Sequence, residues 1–179
     1  MLRQMPAVNE DREHILEDVQ CFALDMDGTI YLGERWIEGA QEFLRRIEET
    51  GRSYVFVTNN SSKNAEVYVE KLHRMGLDVG EDRIVTSGQA TIWYLQKQFP
   101  GARVFLLGNP LLQKEFMQAG IRLEKEHPDV VVTAFDTSLD YQKMCKVCDH
   151  VRSGLPYLAT HPDYNCPTET GFIPDAGAI

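Results

Sequence analysis

Two carboxylates stand one residue apart in Asp25-Met26-Asp27-Gly28-Thr29, directly after the apolar run Cys21–Leu24. Side chains alternate along an extended chain, so Asp25 and Asp27 point to one side and their charges meet at one place. Carboxylates that close repel, and one pKa rises unless a cation or a shared proton intervenes. Mg²⁺ suits the pair, because it is a hard ion that takes one or two carboxylates and keeps several waters. The chemistry open to such a pair is phosphoryl transfer. Asp25 can attack phosphorus to give an aspartyl-phosphate, and Asp27 can protonate the leaving oxygen and later deprotonate water. Gly28 lets the backbone turn sharply, and Thr29 can orient Asp27 or shape the loop. An Asp-Gly pair after a strand is also an ordinary turn; the second acid makes the pattern more specific.

A second polar rim follows. Residues 53–57 read as a strand that empties into Thr58-Asn59-Asn60-Ser61-Ser62. Thr58 and Asn59 can donate hydrogen bonds to phosphate oxygens, while Ser61 or Ser62 can serve simply as a helix cap. Between the strands, Ala40, Phe43, Leu44 and Ile47 recur at helical spacing and Gly51 stops the helix. In an open α/β sheet ligands sit at the carboxyl ends of parallel strands, so a strand-helix-strand unit brings Asp25 and Thr58 to one rim.

The remaining elements continue the alternation. Helices are predicted at 64–75, 89–98 with Ser87 as cap, 110–119 and 139–151, and strands at 83–85, 103–107, 121–123, 130–134 and 157–159. Residues 9–18 read as a short helix or arm. Residues 30–37 read as a loop or small hairpin beside the site, with Trp36 packed. This order predicts an α/β chain with largely parallel pairing, and a composition shift over 80–87 marks a candidate domain boundary.

At 179 residues and 43% hydrophobic content, the chain can form one good core or two small domains. A formal net charge of −9 argues against nucleic-acid or anionic membrane partners. An anionic substrate stays open, because a metal can invert the local field. No signal-length apolar run follows Met1, and no stretch could span a bilayer, so the expected compartment is the cytoplasm. The four cysteines, 21, 145, 148 and 166, form no disulfide framework. Cys145 and Cys148 form a Cys-x-x-Cys on a predicted helix, a spacing open to redox or metal chemistry; without a second pair nearby they are expected to pack instead.

These motifs resemble those of the haloacid dehalogenase (HAD) superfamily of aspartate-nucleophile phosphohydrolases. Asp25 to Thr29 is similar to its first motif and Val57 to Ser61 to its second. Ile30-Tyr31-Leu32-Gly33, the doubled Asn59-Asn60 and the stretches 159–163 and 171–179 resemble the NagD-like, para-nitrophenyl phosphatase branch, subfamily IIA. The resemblance implies a Rossmann-like parallel-sheet core with an inserted α/β cap, and a Mg²⁺-dependent phosphatase acting on a small phosphorylated metabolite. It makes Asp25 the nucleophile and a metal ligand, and Asp27 the acid/base and a ligand through its backbone carbonyl. Gly28, Thr58 and Asn59 would bind phosphate. The core would occupy 1–82 and the cap 83–179, with His161 and Asp163 facing the active site and a homodimer through the cap compatible with the family.

In that family a basic residue and a further acidic motif follow the cap. The expectation is therefore an incomplete core, a fragment or a chain completed by a partner, with an open apolar edge at 20–24 and poor turnover by itself. Two rivals stay open: a catalytically incomplete phosphate- and metal-binding or regulatory chain, and a phosphoacceptor domain, which Gly28-Thr29 and the long second α/β unit disfavour.

Overall fold

The structure is a computed structural model that describes residues 17–168 and 170–179. The expected arm at 9–18 lies outside these residues except for its last two positions. In chain order the first elements are β1 (Cys21–Leu24), β2 (Tyr31–Leu32), β3 (Arg35–Trp36), α1 (Ala40–Glu49), β4 (Ser53–Thr58), α2 (Ala65–Arg74) and β5 (Ile84–Thr86). Then come α3 (Ser87–Gln98), β6 (Arg103–Leu107), α4 (Pro110–Gln118), β7 (Arg122–Leu123), β8 (Val130–Thr133), α5 (Tyr141–Arg152), β9 (Tyr157–Ala159), β10 (Asn165–Thr168) and β11 (Gly171–Pro174).

Two parallel sheets result, in the orders β1-β4-β5 and β7-β6-β8-β9. Hydrophobic burial explains each. In the first, Tyr54 and Phe56 of β4 face Leu44 and Ile47 of α1 and Tyr68 and Leu72 of α2 in one core. In the second, β8 is buried throughout because both faces are covered. Val130 and Val132 pack with Ile92, Leu95, Leu112 and Phe116 of α3 and α4, whereas Val131 packs with Val147 of α5.

Several local expectations change. β5, which follows the expected 82/83 division, pairs with β4 and lies in the first sheet. Neither Ser61 nor Ser62 caps α2; Asn64 does, accepting from Val67 N–H. Ser87 is not the cap of α3: Thr86 accepts from Gln89 N–H in a reciprocal capping box, which its extended backbone permits. Residues 30–37 form the hairpin β2–β3, and Trp36 Nε1 donates to Met75 O at 2.9 Å. The antiparallel hairpin β10–β11 was not foreseen. Cys145 and Cys148 do not pack; both lie exposed on the outer face of α5.

β1 is an edge strand of its sheet, with Cys21 and Ala23 exposed. On the same face of the neighbouring β4, Val57 is also exposed. Among the described residues, no helix is long and apolar enough to cross a membrane.

Candidate active site

β1 ends at Leu24 and delivers the acids into a tight loop. Met26 O accepts from the N–H groups of Thr29, Ile30 and Tyr31, and Gly28 N donates to Tyr31 O at 2.7 Å. Gly28 sits at φ +84°, a left-handed conformation open to glycine at little cost. The loop anchors on Met26, Ile30 and Tyr31, all buried, while Asp25 remains exposed. Thr29 Oγ1 donates to Asp25 Oδ2 at 2.8 Å, so it orients the first acid rather than Asp27.

Asp25, Asp27, Asn59, Asn60, Asp163 and Asp175 line a cleft of about 290 Å³. Among the described residues lining it there is neither lysine nor arginine. Burial pushes the Asp27 carboxyl above its ordinary range; Lys71 and Lys63 oppose that shift and Asp25 reinforces it. A half-buried acid with a raised pKa holds a proton longer, the property a general acid needs.

The structure separates the expected residues. Asp163 reaches the cleft and its Oδ2 accepts from Asn59 Nδ2. His161 is buried behind it: Nε2 lies 2.9 Å from Asp175 Oδ1, within ion-pair distance though out of hydrogen-bond alignment, and Nδ1 accepts from Asp163 N–H at 3.4 Å. Thr58 is only 2% exposed, stands behind the rim, and accepts from Asn60 N–H at 3.2 Å. Burial also raises the Asp175 carboxyl, against the lowering effect of Ala176 N–H and His161.

The loop after β4 is tied to the second sheet. Ser61 Oγ accepts from Phe135 N–H at 2.9 Å and shares a hydrogen bond with Thr160 Oγ1 at 3.0 Å. Asn109 Nδ2 donates to Ser62 O, and Ser87 Oγ donates to Asn59 O. Sequence reasoning assigned no role to Asn60, Asp175 or Lys71. The doubled Asn and the Pro174-Asp175 turn were signals for two of them.

Asp25 and Asp27 offer oxygen donors alone, the set a hard divalent ion takes, so the residues present fit Mg²⁺. Among the described residues no group of three or more His, Cys, Asp or Glu side chains is arranged to hold a metal. A larger hollow, about 530 Å³, lies along β6 between α4 and α5 and shares no lining residue with the acidic cleft. Two of its lysines are spent on ion pairs, Lys143 with Asp136 and Lys146 with Glu126.

The parallel sheets and the acid loop at a strand's carboxyl end define a HAD-like α/β fold. The sequence profile of the haloacid dehalogenase-like hydrolases matches residues 22–122, more than half of the chain, and the chain belongs to that family. An acid sugar phosphatase of Staphylococcus aureus is 37% identical over 165 residues, covering 92% of this chain and 64% of the relative. A 4-nitrophenylphosphatase structure from Thermotoga maritima superposes with a TM-score of 0.88 at 47% identity, over 92% of this chain and 63% of that one. A glycerol phosphate phosphatase from Mycobacterium tuberculosis, solved in complex with calcium, gives 0.81 at 28% identity, over 92% and 49%. The chain thus spans just under two thirds of the curated relatives it matches.

Proposed function

We propose that the chain acts as a Mg²⁺-dependent phosphatase on a small phosphorylated metabolite. The observation that carries this reading is the convergence of Asp25, Asp27 and Asn59 on one cleft. The names of the relatives, phosphatases of sugar, nitrophenyl and glycerol phosphates, support the reaction class.

Asp25, oriented by Thr29, attacks phosphorus; the bond from phosphorus to the leaving oxygen breaks as the Asp27 proton passes to that oxygen. Asp27 then takes a proton from water, whose oxygen displaces Asp25 and releases phosphate. Asn59 holds a phosphate oxygen with its amide, and Thr58 shapes the loop from behind. Asp25 and Asp27 would hold Mg²⁺, which would supply the neutralising charge that a lining of carboxylates lacks. The second sheet and its hairpin act as the lid, dividing from the core after β5, with Asp163 as the lid's contact on Asn59.

One observation favours a second reading, a phosphate- and metal-binding chain without turnover: the described cleft lining has no basic side chain. Steady-state phosphate release from para-nitrophenyl phosphate, with and without Mg²⁺, separates the two. The proposal expects slow, Mg²⁺-dependent release that Asp25→Asn abolishes. Uptake of Mg²⁺ and inorganic phosphate without release selects the binding chain, and uptake of neither sinks both.

A further inference from the structure

Lys71 does not sit where a lysine of an amphipathic helix normally sits. It lies on α2, 40 residues beyond Tyr31, yet it is 9% exposed. Its Nζ stands 3.6 Å from the centroid of the Tyr31 ring and 4.0 Å from Asp27 Oδ1. Tyr31 is fully buried and closes the acid loop through the 2.7 Å bond from Gly28 N–H. The ammonium is therefore wedged between the ring that anchors the loop and the second acid of the motif.

Burying an ammonium is costly unless partners offset the loss of water. A lysine whose stem covers apolar rings usually extends its head to solvent. Here the head turns inward, over an aromatic face and toward a carboxylate, two attractions that favour the charged form. At 4.0 Å the contact is too long for a good hydrogen bond and acts as charge on charge. The charged groups around Nζ are Asp27, Lys63, Glu34 and Arg74. Burial lowers the Lys71 pKa and Asp27 raises it. Lys71 lines a separate hollow with Lys63, Glu34 and Arg74 and is not among the residues lining the acidic cleft, so it approaches Asp27 from the α2 side.

We infer that Lys71 is a positioning residue for Asp27: a cation built into α2 that holds the second acid in place by charge and opposes uptake of a divalent ion beside it. The inference rests on the proposed Mg²⁺ reading only for its metal arm. Lys71→Met keeps the apolar stem and removes the charge; Lys71→Arg keeps the charge; Lys71→Gln repeats the loss of charge on a polar stem if the methionine variant does not fold.

The test has two arms. In chelator-treated buffer, urea unfolding of the wild type, Lys71→Met, Asp27→Asn and the double variant forms a double-mutant cycle. A favourable coupling between the two positions, regained with Lys71→Arg, is expected; no coupling overturns the inference. Calorimetric titration with Mg²⁺ alone then reads the charge at the metal. Lys71→Met should bind about threefold tighter or more at low salt and Lys71→Arg like the wild type. A lysine that merely packs would leave Mg²⁺ affinity unchanged or weaken it, and either result overturns the inference. If the wild type takes up no Mg²⁺, the phosphatase reading fails and the cycle alone decides the role of Lys71.

Discussion

Substituting Ser61 by alanine should loosen the junction between the loop after β4 and the second sheet. Ser61 is 1% exposed, and its Oγ accepts from the buried Phe135 N–H at 2.9 Å. Alanine leaves that amide without its acceptor, at a cost of about 1–3 kcal/mol for a buried unsatisfied group. Thr160 is partly exposed, so its hydroxyl can turn to water and adds little. We expect a loss of about 2 kcal/mol, which for a domain of this size lowers the melting temperature by about 4–8 °C. Ser62→Ala is the control in the same loop. Among the described residues its hydroxyl bonds the neighbouring Asn60 Oδ1, from a half-buried position, and the loss should stay within about 0.5 kcal/mol. Urea unfolding followed by circular dichroism gives both values, and amide exchange at Phe135 shows whether the loss is local. A Ser61→Ala variant within 0.5 kcal/mol of wild type, or two variants alike, would refute the reasoning.

Three further outcomes follow from other contacts. His161→Ala removes the ring that stands 2.9 Å from Asp175 Oδ1 while both side chains are about 95% buried, and should cost about 2 kcal/mol in urea unfolding through the lost packing and the polar group left behind; a change below 1 kcal/mol would show that the contact is not a structural post. Glu115 Oε2 is buried without a partner among the described residues, and burial raises its carboxyl above 4.5. Its stabilising contribution is complete below pH 4.5 and is lost as pH rises through the raised folded value, so Glu115→Gln should match wild type at pH 4 and exceed it by about 1 kcal/mol at pH 7; equal stability at both pH values contradicts this. Thr29→Val removes the donor to Asp25 Oδ2, and kcat for para-nitrophenyl phosphate should fall about tenfold with KM little changed, whereas a pure KM effect would place Thr29 in substrate binding instead.

The alternation of strands and helices was legible because each element buries one face and repeats its period within a dozen residues. The acid loop was legible for the same reason, since five consecutive residues carry it. Cap identities were less so: Thr86 and Ser87 are chemically close, and the choice fell to backbone conformation, extended at Thr86 and already helical at Ser87. The hairpin Asn165 to Pro174 escaped detection because it shows little burial and carries a proline inside a strand. His161 read as a loop histidine because its partner, Asp175, lies 14 residues on, beyond that hairpin. Lys71 is the extreme case: nothing local separates it from a solvated helical lysine, and only packing against Tyr31 and Asp27 turns it inward. Long-range juxtaposition, rather than weak local preference, hid the supporting residues of the site.

α2 begins immediately after the loop that follows β4, and α3 begins directly at the end of β5, with Ser87 in its first turn bonded to Asn59 O. Both helices therefore start at the carboxyl edge that holds Asn59. Each helix start carries roughly half a positive charge from its aligned peptide dipoles. On the proposed reading, part of the attraction for a phosphate at this edge comes from the backbone itself. It neither titrates nor disappears on substituting a side chain, so phosphate capture should retain a component that persists across pH and that no alanine scan of the cleft removes.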